Sequence, residues 1–474
     1  MGYTEEALLA RYHLEALSDL RSRRERAESI GDALELLTQL FVDGQYATRD
    51  QIASLLPHGA LEALAALGLV RPNVYNSELW AATVMLYPRS GVLLASDRPT
   101  ALDSGAVQDV QDIVFSALTD NTERFLELLP GEPCDCFLDL GTGTGVAALV
   151  AASSARHVWA VDVTERSTRF AEFNRQFNGV TNVTVLQGDL YAPVTDLRFD
   201  RIAIHPPYVP ALQQALIYQD AGLDGQDITR RAVSQLPRYL SPGGRFYCLT
   251  LGVDSEDALF EQTVRQWLQA DDAGFDVAFT PRNSISVGFM ARSVAIKSSN
   301  GMRDAARLEE AFKRLNIREF VYGDIIIQRH AAPRPGFTVR RQRAPGSGRA
   351  EVDWLLRLET ELASRGTEWL LGTRPRASPH VELLATHRMA NGELAPTGYR
   401  LQTNHPFSME AKATQWIGVL VARCDGKVTG REHYVFLREQ NAFPESVSPG
   451  QFARLLGQLV SGGFILLPGC EPPG

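Results

Sequence analysis

The sequence has few cysteines, no long apolar run and no overall excess of basic residues, and each absence excludes a class of protein. Five cysteines in 474 residues are too few for a disulfide framework, and the pair Cys134 and Cys136 lacks the second pair that a zinc site needs. No apolar run reaches the length of a membrane span, and the charged amphipathic start of the chain is unlike a signal peptide. We therefore expect a cytoplasmic protein with no metal site.

The net charge of −9 argues against a dedicated non-specific nucleic-acid binder. One stretch departs from this average, because the segment Arg282 to Arg349 contains 14 Lys/Arg but only 5 Asp/Glu. Charge runs are usually solvated faces, and we favour that interpretation. Binding of an anionic partner such as RNA to this segment is the alternative.

Changes of pattern along the chain predict five segments, since 474 residues are too many for one core. They are an N-terminal helix (1–30), a winged-helix-like module (31–100), an α/β domain (101–331), a linker (332–350) and a C-terminal α+β or winged-helix-like module (351–474). In the first module we expect LWAATVMLY and SGVLLAS to form the wing. Its would-be recognition helix, Leu61 to Leu69, has no Lys or Arg, which favours packing or substrate presentation over insertion into a DNA groove.

Strand-like and helix-like stretches alternate from Pro130 onward, which is typical of a doubly wound, mostly parallel sheet covered by helices on both faces. The first five strands are CFLDLG, HVWAVDV, NVTVLQGD, RFDRIAIH and GRFYCLTLGV. The helices between them are predicted to begin at Val146, Arg166, Asp227 and Glu256. DVAFT and EFVYGDIIIQRH complete a seven-stranded sheet, with a helical insertion between them.

The stretch FLDLGTGTG places Gly141, Gly143 and Gly145 directly after a strand and before a helix. Glycines there allow a tight turn and let the backbone approach an anionic ligand at the helix N-terminus. The dinucleotide fingerprint G-x-G-x-x-G would have its third glycine one residue later, where Val146 stands. A nicotinamide dinucleotide enzyme is therefore an alternative that thermal stabilisation by NAD would reveal.

Polar side chains follow the next three strands as well. Asp162 ends the second strand, where a carboxylate can accept both ribose hydroxyl protons, and Asp189 ends the third, where it can accept from an adenine amine. His205 ends the fourth strand, in the rigid turn HPPYVP. Because the carboxyl ends of parallel strands meet at one edge of a sheet, we expect these four strand ends to line one crevice.

The motifs DLGTGTG, AVDVTERSTRFAEFNRQFNG, LQGDLYAP and HPPYVP resemble the successive motifs of class I S-adenosylmethionine-dependent methyltransferases. The specific resemblance is to HemK/PrmC-type glutamine methyltransferases and to related small domains that act on nucleobase amines, and it covers roughly Asp120 to His330. It implies S-adenosylmethionine as the cofactor, with its methionine moiety at the glycine turn, its ribose at Asp162 and its adenine at Asp189. The cofactor-binding residues that the resemblance implies are Asp139, Gly141, Thr142, Gly143, Gly145, Asp162, Asp189 and Leu190.

In that family the fourth-strand motif begins with Asn, Asp or Ser, followed by two prolines and an aromatic residue. The resemblance implies that the first side chain and the carbonyl of Pro206 accept hydrogen bonds from the target amine, while Tyr208 stacks on it. His205 departs from this pattern. A neutral imidazole can accept a hydrogen bond as Asn does, or it can remove a proton as a base.

We therefore expect N-methylation of an amide or planar amine on a protein or a nucleic acid, with His205, Pro206 and Tyr208 at the acceptor. Two alternatives stay open. One is O- or N-methylation of a small metabolite with His205 as the base. The other is a non-catalytic, cofactor-binding regulatory module.

Overall fold

The computed structural model describes residues 2–21, 30–98, 112–210, 222–296, 301–390 and 393–473. The chain divides into two compact units, Met1–Leu249 and Thr250–Gly474. The boundary falls inside one long strand, so that each unit contains a part of it. No helix in the described ranges is long and apolar enough to cross a membrane.

Within the described ranges, the N-terminal part of the first unit contains four α-helices and five strands. The helices are α1 (Glu5–Tyr12), α2 (Ala33–Leu37), α3 (Arg49–Leu55) and α4 (Ala60–Ala66). The strands are β1 (Ala47–Thr48), β2 (Val70–Pro72), β3 (Leu79–Ala82), β4 (Met85–Arg89) and β5 (Val92–Ser96). Strands β1, β3 and β2 form an antiparallel sheet in that order, and β4 and β5 form a separate hairpin.

The predicted wing is not one hairpin, because LWAATVMLY contains two strands of different sheets. The first half is β3, which pairs with β2, and the second half is β4, which pairs with β5. Between them, Thr83 donates from its backbone N–H to the Leu69 carbonyl at 2.9 Å and from its hydroxyl to the Gly68 carbonyl. The chain therefore leaves the three-stranded sheet at Thr83.

The remainder of the first unit alternates strands and helices as predicted. The strands are β6 (Cys134–Leu140), β7 (Ala155–Asp162), β8 (Val183–Gln187), β9 (Phe199–Ile204) and β10 (Leu240–Ser255). The helices are α5 (Asp120–Leu128), α6 (Val146–Ala151), α7 (Glu165–Phe177), α8 (Asp227–Ser234) and α9 (Leu236–Tyr239). The strand order is β10-β9-β6-β7-β8 and all four pairings are parallel, which confirms the doubly wound α/β fold.

Helix α7 carries the contact between the N-terminal module and the parallel sheet. Three of its aromatic side chains pack against the core of the module: Phe170, Phe173 and Phe177. Asn174 and Asn178 of the same helix bond to the backbone of β5. At the start of the helix, Arg166 forms two hydrogen bonds of 2.6 Å with the carboxylate of Asp97. Apolar packing and polar bonds thus fix the module on α7.

The second unit continues from β10 into a sheet of order β10-β12-β11-β13. Its first elements are α10 (Phe260–Trp267), β11 (Phe275–Ser286), α11 (Val287–Ala295), α12 (Gly301–Arg314), β12 (Ile317–Arg329) and β13 (Thr338–Arg340). Strand β12 runs antiparallel to β11, and β13 runs parallel to it. The segment 332–350, predicted to be a linker, therefore adds β13 to this sheet and contains a second short strand, Gln342–Arg343; the sequence predicts neither.

In its described residues, the C-terminal part of this unit has four α-helices and two further sheets. Its strands are β14 (Gln342–Arg343), β15 (Arg376–Ala377), β16 (Glu382–Ala390), β17 (Glu393–Thr403), β18 (Phe407–Ala413) and β19 (Ile465–Leu466). Its helices are α13 (Arg349–Arg365), α14 (Gln415–Arg423), α15 (Gly430–Glu439) and α16 (Pro449–Ser461). One sheet has the order β14-β18-β17-β16, and β15 pairs with β19. The three final helices and the terminal strand match the predicted elements.

Several arginines of the basic segment Arg282–Arg349 are bonded to carboxylates within the second unit. Arg282 and Arg343 both bond to Asp324, which is fully buried. Arg340 bonds to Asp254, also buried, at 2.9 Å. Buried carboxylates are strongly destabilising when unpaired, so these arginines have a structural function. The local excess of positive charge therefore gives little support to an anionic partner.

Candidate active site

The strand ends named in the sequence analysis form one row at the carboxyl edge of the parallel sheet. Leu140, the last residue of β6, lies opposite Val161 of β7 on one side and Ile204 of β9 on the other. Asp162 in turn lies opposite Gln187, the last residue of β8. The glycine turn and His205 thus leave neighbouring strands side by side at one edge of the sheet.

The glycine turn has a backbone that other residues adopt only with strain. Gly141, Gly143 and Gly145 have φ angles of +67°, +54° and +82°, and this left-handed region is costly for residues with a Cβ. A Cβ added at Gly141 or Gly143 would meet no atom within 4 Å, so the turn faces open space. At Gly145 it would lie 3.2 Å from the backbone of Ala171, because the turn packs directly on α7.

Asp139 holds the glycine turn through hydrogen bonds from the turn and from helix α6. Its carboxylate is buried and accepts hydrogen bonds from the Thr142 hydroxyl at 2.6 Å and from the Ala148 backbone N–H of α6 at 3.2 Å. Burial raises the pKa of the Asp139 carboxyl to about 7, and the two hydrogen bonds oppose this rise. Its observed contacts are with the turn and the helix, so it shapes the site that the resemblance assigns to the methionine moiety.

Asp162 joins the glycine turn to the neighbouring strand ends. Its Oδ2 accepts from the Gly143 backbone N–H at 3.0 Å, and its Oδ1 accepts from the backbone N–H of Thr164 at 3.0 Å. Its own carbonyl accepts from the Gly188 N–H at 2.9 Å. Its Oδ1 also accepts from the Thr164 hydroxyl at 3.2 Å. A carboxylate has about four lone-pair positions, so Asp162 keeps capacity for one further donor such as a hydroxyl.

Asp189 lies at the same edge but in a more open position. Its carboxylate is about half exposed and forms an ion pair with Arg231 of α8. The next residue, Leu190, is buried and has a φ of +49°. A buried non-glycine residue in the left-handed region is uncommon, and such backbone strain clusters at binding sites.

The turn HPPYVP is held by aromatic packing and by helix α5. The rings of Phe125 and Tyr208 lie 5.4 and 5.7 Å from the His205 ring, measured between centroids. The Tyr208 hydroxyl accepts a hydrogen bond of 2.7 Å from the Asn121 side chain. Within the described ranges, no hydrogen bond is made by either ring nitrogen of His205, and burial lowers the pKa of its imidazole to about 4. His205 is thus half-buried, neutral at pH 7 and able to accept a hydrogen bond.

The loop before α8 packs against this turn. Gly225 has a φ of +78°, and a Cβ there would lie 2.4 Å from the Tyr208 carbonyl oxygen. The neighbouring Gln226 is buried, and its amide nitrogen donates to Asp224 at 3.0 Å. Its Oε1 has no hydrogen-bond partner among the residues that the structure describes, which leaves a buried acceptor beside the turn.

Gly225→Ala is expected to displace Tyr208 and to lower kcat by roughly 10-fold or more, because small misplacements at a reacting centre are costly. The added Cβ cannot fit beside the Tyr208 carbonyl. Gly91→Ala is the matched control, since Gly91 has a φ of +82° with open space around it. Both variants carry the backbone cost of a positive φ, and Gly225→Ala should lose more thermal stability because it adds the contact with Tyr208. A kcat loss of the same size in both would contradict the role given to Gly225.

Sequence reasoning missed Asn121 and Phe125 of α5, and Gly225 and Gln226 of the later loop. Asn121 and Phe125 lie in α5, which precedes the first strand of the parallel sheet. No sequence motif therefore marks them as neighbours of the turn HPPYVP. The other two lie in GLDGQDITRRAV, which resembles the family in the stretch after the fourth strand. That resemblance was a usable signal for the loop, although not for its contact with Tyr208.

The residues present fit S-adenosylmethionine. A glycine turn with two Cβ-free positions facing open space suits the close approach of a ligand. Asp162, with lone-pair capacity left, suits a ribose at the end of β7. Asp189 and Leu190 end the next strand, where the adenine would lie.

Comparison with known proteins gives one family match. Residues 135–278 match a family model described as a methyltransferase domain. Over 154 residues the chain is 34% identical to the ribosomal protein uL3 glutamine methyltransferase of Bradyrhizobium diazoefficiens, covering 30% of this chain and 48% of that protein.

Two release factor glutamine methyltransferases are similar to the same region. The protein of Geobacter sulfurreducens is 34% identical over 135 residues, which cover 26% of this chain and 47% of that protein. The protein of Escherichia coli is 35% identical over 116 residues, which cover 21% and 42%. The chain spans about half the length of the curated relatives it matches.

Proposed function

We propose that this chain, whose residues 135–278 belong to the class I S-adenosylmethionine-dependent methyltransferases, methylates a side-chain amide nitrogen of a protein. The observation that carries the proposal is the position of His205. It leaves β9 directly beside the glycine turn, in the motif that the family uses to hold an amide. Two relatives of this region are named for glutamine methylation, one of a ribosomal protein and one of a release factor.

In this mechanism the protein positions the acceptor. S-adenosylmethionine supplies a methyl group on a positively charged sulfur, which is its own leaving group, so the bond that breaks needs no acid. The amide nitrogen that gains the methyl group releases one of its two protons to water. The His205 ring nitrogen and the Pro206 carbonyl accept the two N–H bonds of a primary amide. Tyr208, fixed by the Asn121 bond to its hydroxyl, presents a flat face to the amide plane.

The low pKa of His205 favours acceptance of a hydrogen bond over general base catalysis. Burial lowers this pKa to about 4, and a general base acts best when its pKa lies near the working pH. An imidazole that is neutral at pH 7 can imitate the oxygen of the asparagine that stands first in the family motif. The alternative with His205 as the base of a small-metabolite methyltransferase is therefore disfavoured.

We expect kcat to be flat from about pH 6 to 8 and to fall as the pH drops below about 5, where His205 gains a proton and ceases to accept. The unfolded chain binds this proton near pH 6.5, well above the folded chain. Stability linked to His205 is therefore complete above about pH 6.5 and is lost as the pH falls through about 4.

Two measurements test this pH dependence. The first is kcat at saturating substrate as a function of pH. A fall in kcat with an apparent pKa near 7 would identify His205 as a base instead. The second is the urea midpoint at neutral and mildly acidic pH. The midpoint of the wild type should fall more on acidification than that of His205→Asn, which has nothing to protonate at this position.

The substrate experiment uses the full chain, S-adenosylmethionine with a labelled methyl group, and extract from cells that lack the protein. We expect label in a protease-sensitive fraction and a single added methyl group on a glutamine side chain in peptide mass spectra. The control is the same reaction with Gly143→Ala. Label in a ribonuclease-sensitive or small-molecule fraction would refute the protein acceptor, and cofactor binding without any label would favour a regulatory module.

The proposal includes a cytoplasmic location. Five free cysteines, two of them buried, agree with a reducing compartment. The two relatives named above act on components of translation.

A further inference from the structure

A buried asparagine connects the N-terminal module to the glycine turn. Asn174 lies in the last turn of α7 and its side chain is fully buried. Its Nδ2 donates to the Thr144 carbonyl at 2.8 Å and to the Ala95 carbonyl of β5 at 2.9 Å. Its Oδ1 accepts from the Ala95 N–H at 2.7 Å. One amide therefore holds the backbone of two separate elements.

The carbonyl of Thr144 lies inside the turn, between Gly143 and Gly145. A Cβ at Gly145 would lie 3.2 Å from Ala171 of α7, so the turn and the helix are already at their closest distance. On its opposite side the turn is held by the bonds from Thr142 to Asp139 and from Gly143 to Asp162. The hydrogen bond from Asn174 to the Thr144 carbonyl is the corresponding contact on the α7 side.

Asn178, one helical turn later, makes a similar contact without reaching the glycine turn. It accepts from the Leu93 N–H at 2.8 Å and donates to the Leu93 carbonyl at 2.7 Å. Both asparagines thus satisfy the backbone of β5, as a neighbouring strand would. Of the two, Asn174 also bonds to the turn, which makes Asn178, the residue that follows α7, a matched reference.

We infer that Asn174 is a positioning residue for the cofactor site, through which the N-terminal module holds the glycine turn in its binding geometry. The turn has three residues in the left-handed region, a conformation that persists only when surrounding contacts fix it. Without the hydrogen bond from Asn174, the Thr144 carbonyl would lose its buried donor. The glycine turn would then sample other conformations. The module is then part of the binding site without contacting the ligand.

The inference rests on the proposed function for the identity of the ligand, so the test measures binding without methyl transfer. Titration calorimetry with S-adenosylhomocysteine compares the wild type with Asn174→Ala and Asn178→Ala, and melting temperatures are recorded without ligand. We expect Kd to rise by at least about 10-fold in Asn174→Ala and by less than about 2-fold in Asn178→Ala. Both variants should lose thermal stability, because each leaves a β5 carbonyl and N–H unpaired.

Equal changes of Kd in the two variants would overturn the inference, since they would show only a general loss of stability. Where Asn174→Ala does not fold, Asn174→Ser replaces it, because the hydroxyl keeps one donor and leaves a smaller cavity. In steady-state assays the expected effect is a raised KM for S-adenosylmethionine with little change in kcat. Failure of the wild type to bind S-adenosylhomocysteine would contradict the proposed function instead.

Discussion

Replacing His205 by alanine is expected to lower kcat for amide methylation by roughly 100-fold, whereas His205→Asn should keep kcat within about 10-fold of the wild type. Alanine removes the acceptor that orients the amide nitrogen, and asparagine restores the residue type that begins the family motif. The His205 ring packs against the rings of Phe125 and Tyr208, and asparagine is the smaller side chain at this position. The measurement is steady-state transfer of labelled methyl to the acceptor protein.

The Kd for S-adenosylhomocysteine serves as the control, because His205 is placed at the acceptor and the Kd should stay within about 2-fold in both variants. Inactivity of His205→Asn, with that Kd unchanged, would show that proton removal is needed and that His205 acts as a base. Activity of His205→Ala at the wild-type level would remove His205 from the mechanism altogether.

Gly143→Ala is expected to weaken S-adenosylhomocysteine binding by roughly 100-fold or more, because the added methyl group enters the space that the turn leaves for the ligand. The backbone at Gly143, with a φ of +54°, adds a cost of about 1–2 kcal/mol for a residue with a Cβ. Calorimetry measures the binding loss, and thermal unfolding without ligand measures the backbone cost.

Gly179→Ala separates the two effects. Gly179 follows α7, has a φ of +66°, and has no atom within 4 Å of an added Cβ. It therefore carries a similar backbone cost at a position away from the glycine turn. We expect the two variants to melt at similar temperatures and only Gly143→Ala to lose binding. A comparable loss of binding in both would mean that strain, and not occupied space, accounts for the result.

The central fold was predictable from the sequence because each of its signals is local. A glycine turn between a strand and a helix, an acid at the next strand end and apolar runs of strand length each depend on a few adjacent residues. Topology rules then bring the carboxyl ends of parallel strands together, so that Asp162 and His205 could be assigned to one crevice before any coordinates. The observed register agrees with that assignment.

The parts that the sequence did not predict depend on pairing between distant residues. Whether LWAATVMLY is one strand or two is decided by Thr83, whose partners Gly68 and Leu69 lie fifteen residues or so earlier. Strand β13 exists because Thr338–Arg340 finds an edge of β11 to pair with. Phe125 reaches His205, and Asn121 reaches Tyr208, only through tertiary packing of α5.

A count of charges along the sequence does not predict a charged surface, again because the partners of each charge are distant in sequence. The segment Arg282–Arg349 has an excess of arginine along the sequence. In the structure, Arg340 is neutralised by Asp254 and Glu261, which lie outside the segment. A count along the chain cannot detect such partners, whereas buried acids such as Asp254 explain why arginines accumulate there.

The pairing of α7 with β5 has a consequence for how this protein can be divided or recombined. A cut within residues 99–111 would separate the family domain from the hairpin, leaving the amides of Asn174 and Asn178 and the aromatic face of α7 without their partners. Residues 135–278, which the family model matches, are therefore not a segment that can be transferred to another protein by itself. A chimera that exchanges the methyltransferase domain alone would inherit the catalytic motifs but not the scaffold that supports them. Exchange of acceptor specificity would have to carry the β4–β5 hairpin along with the domain.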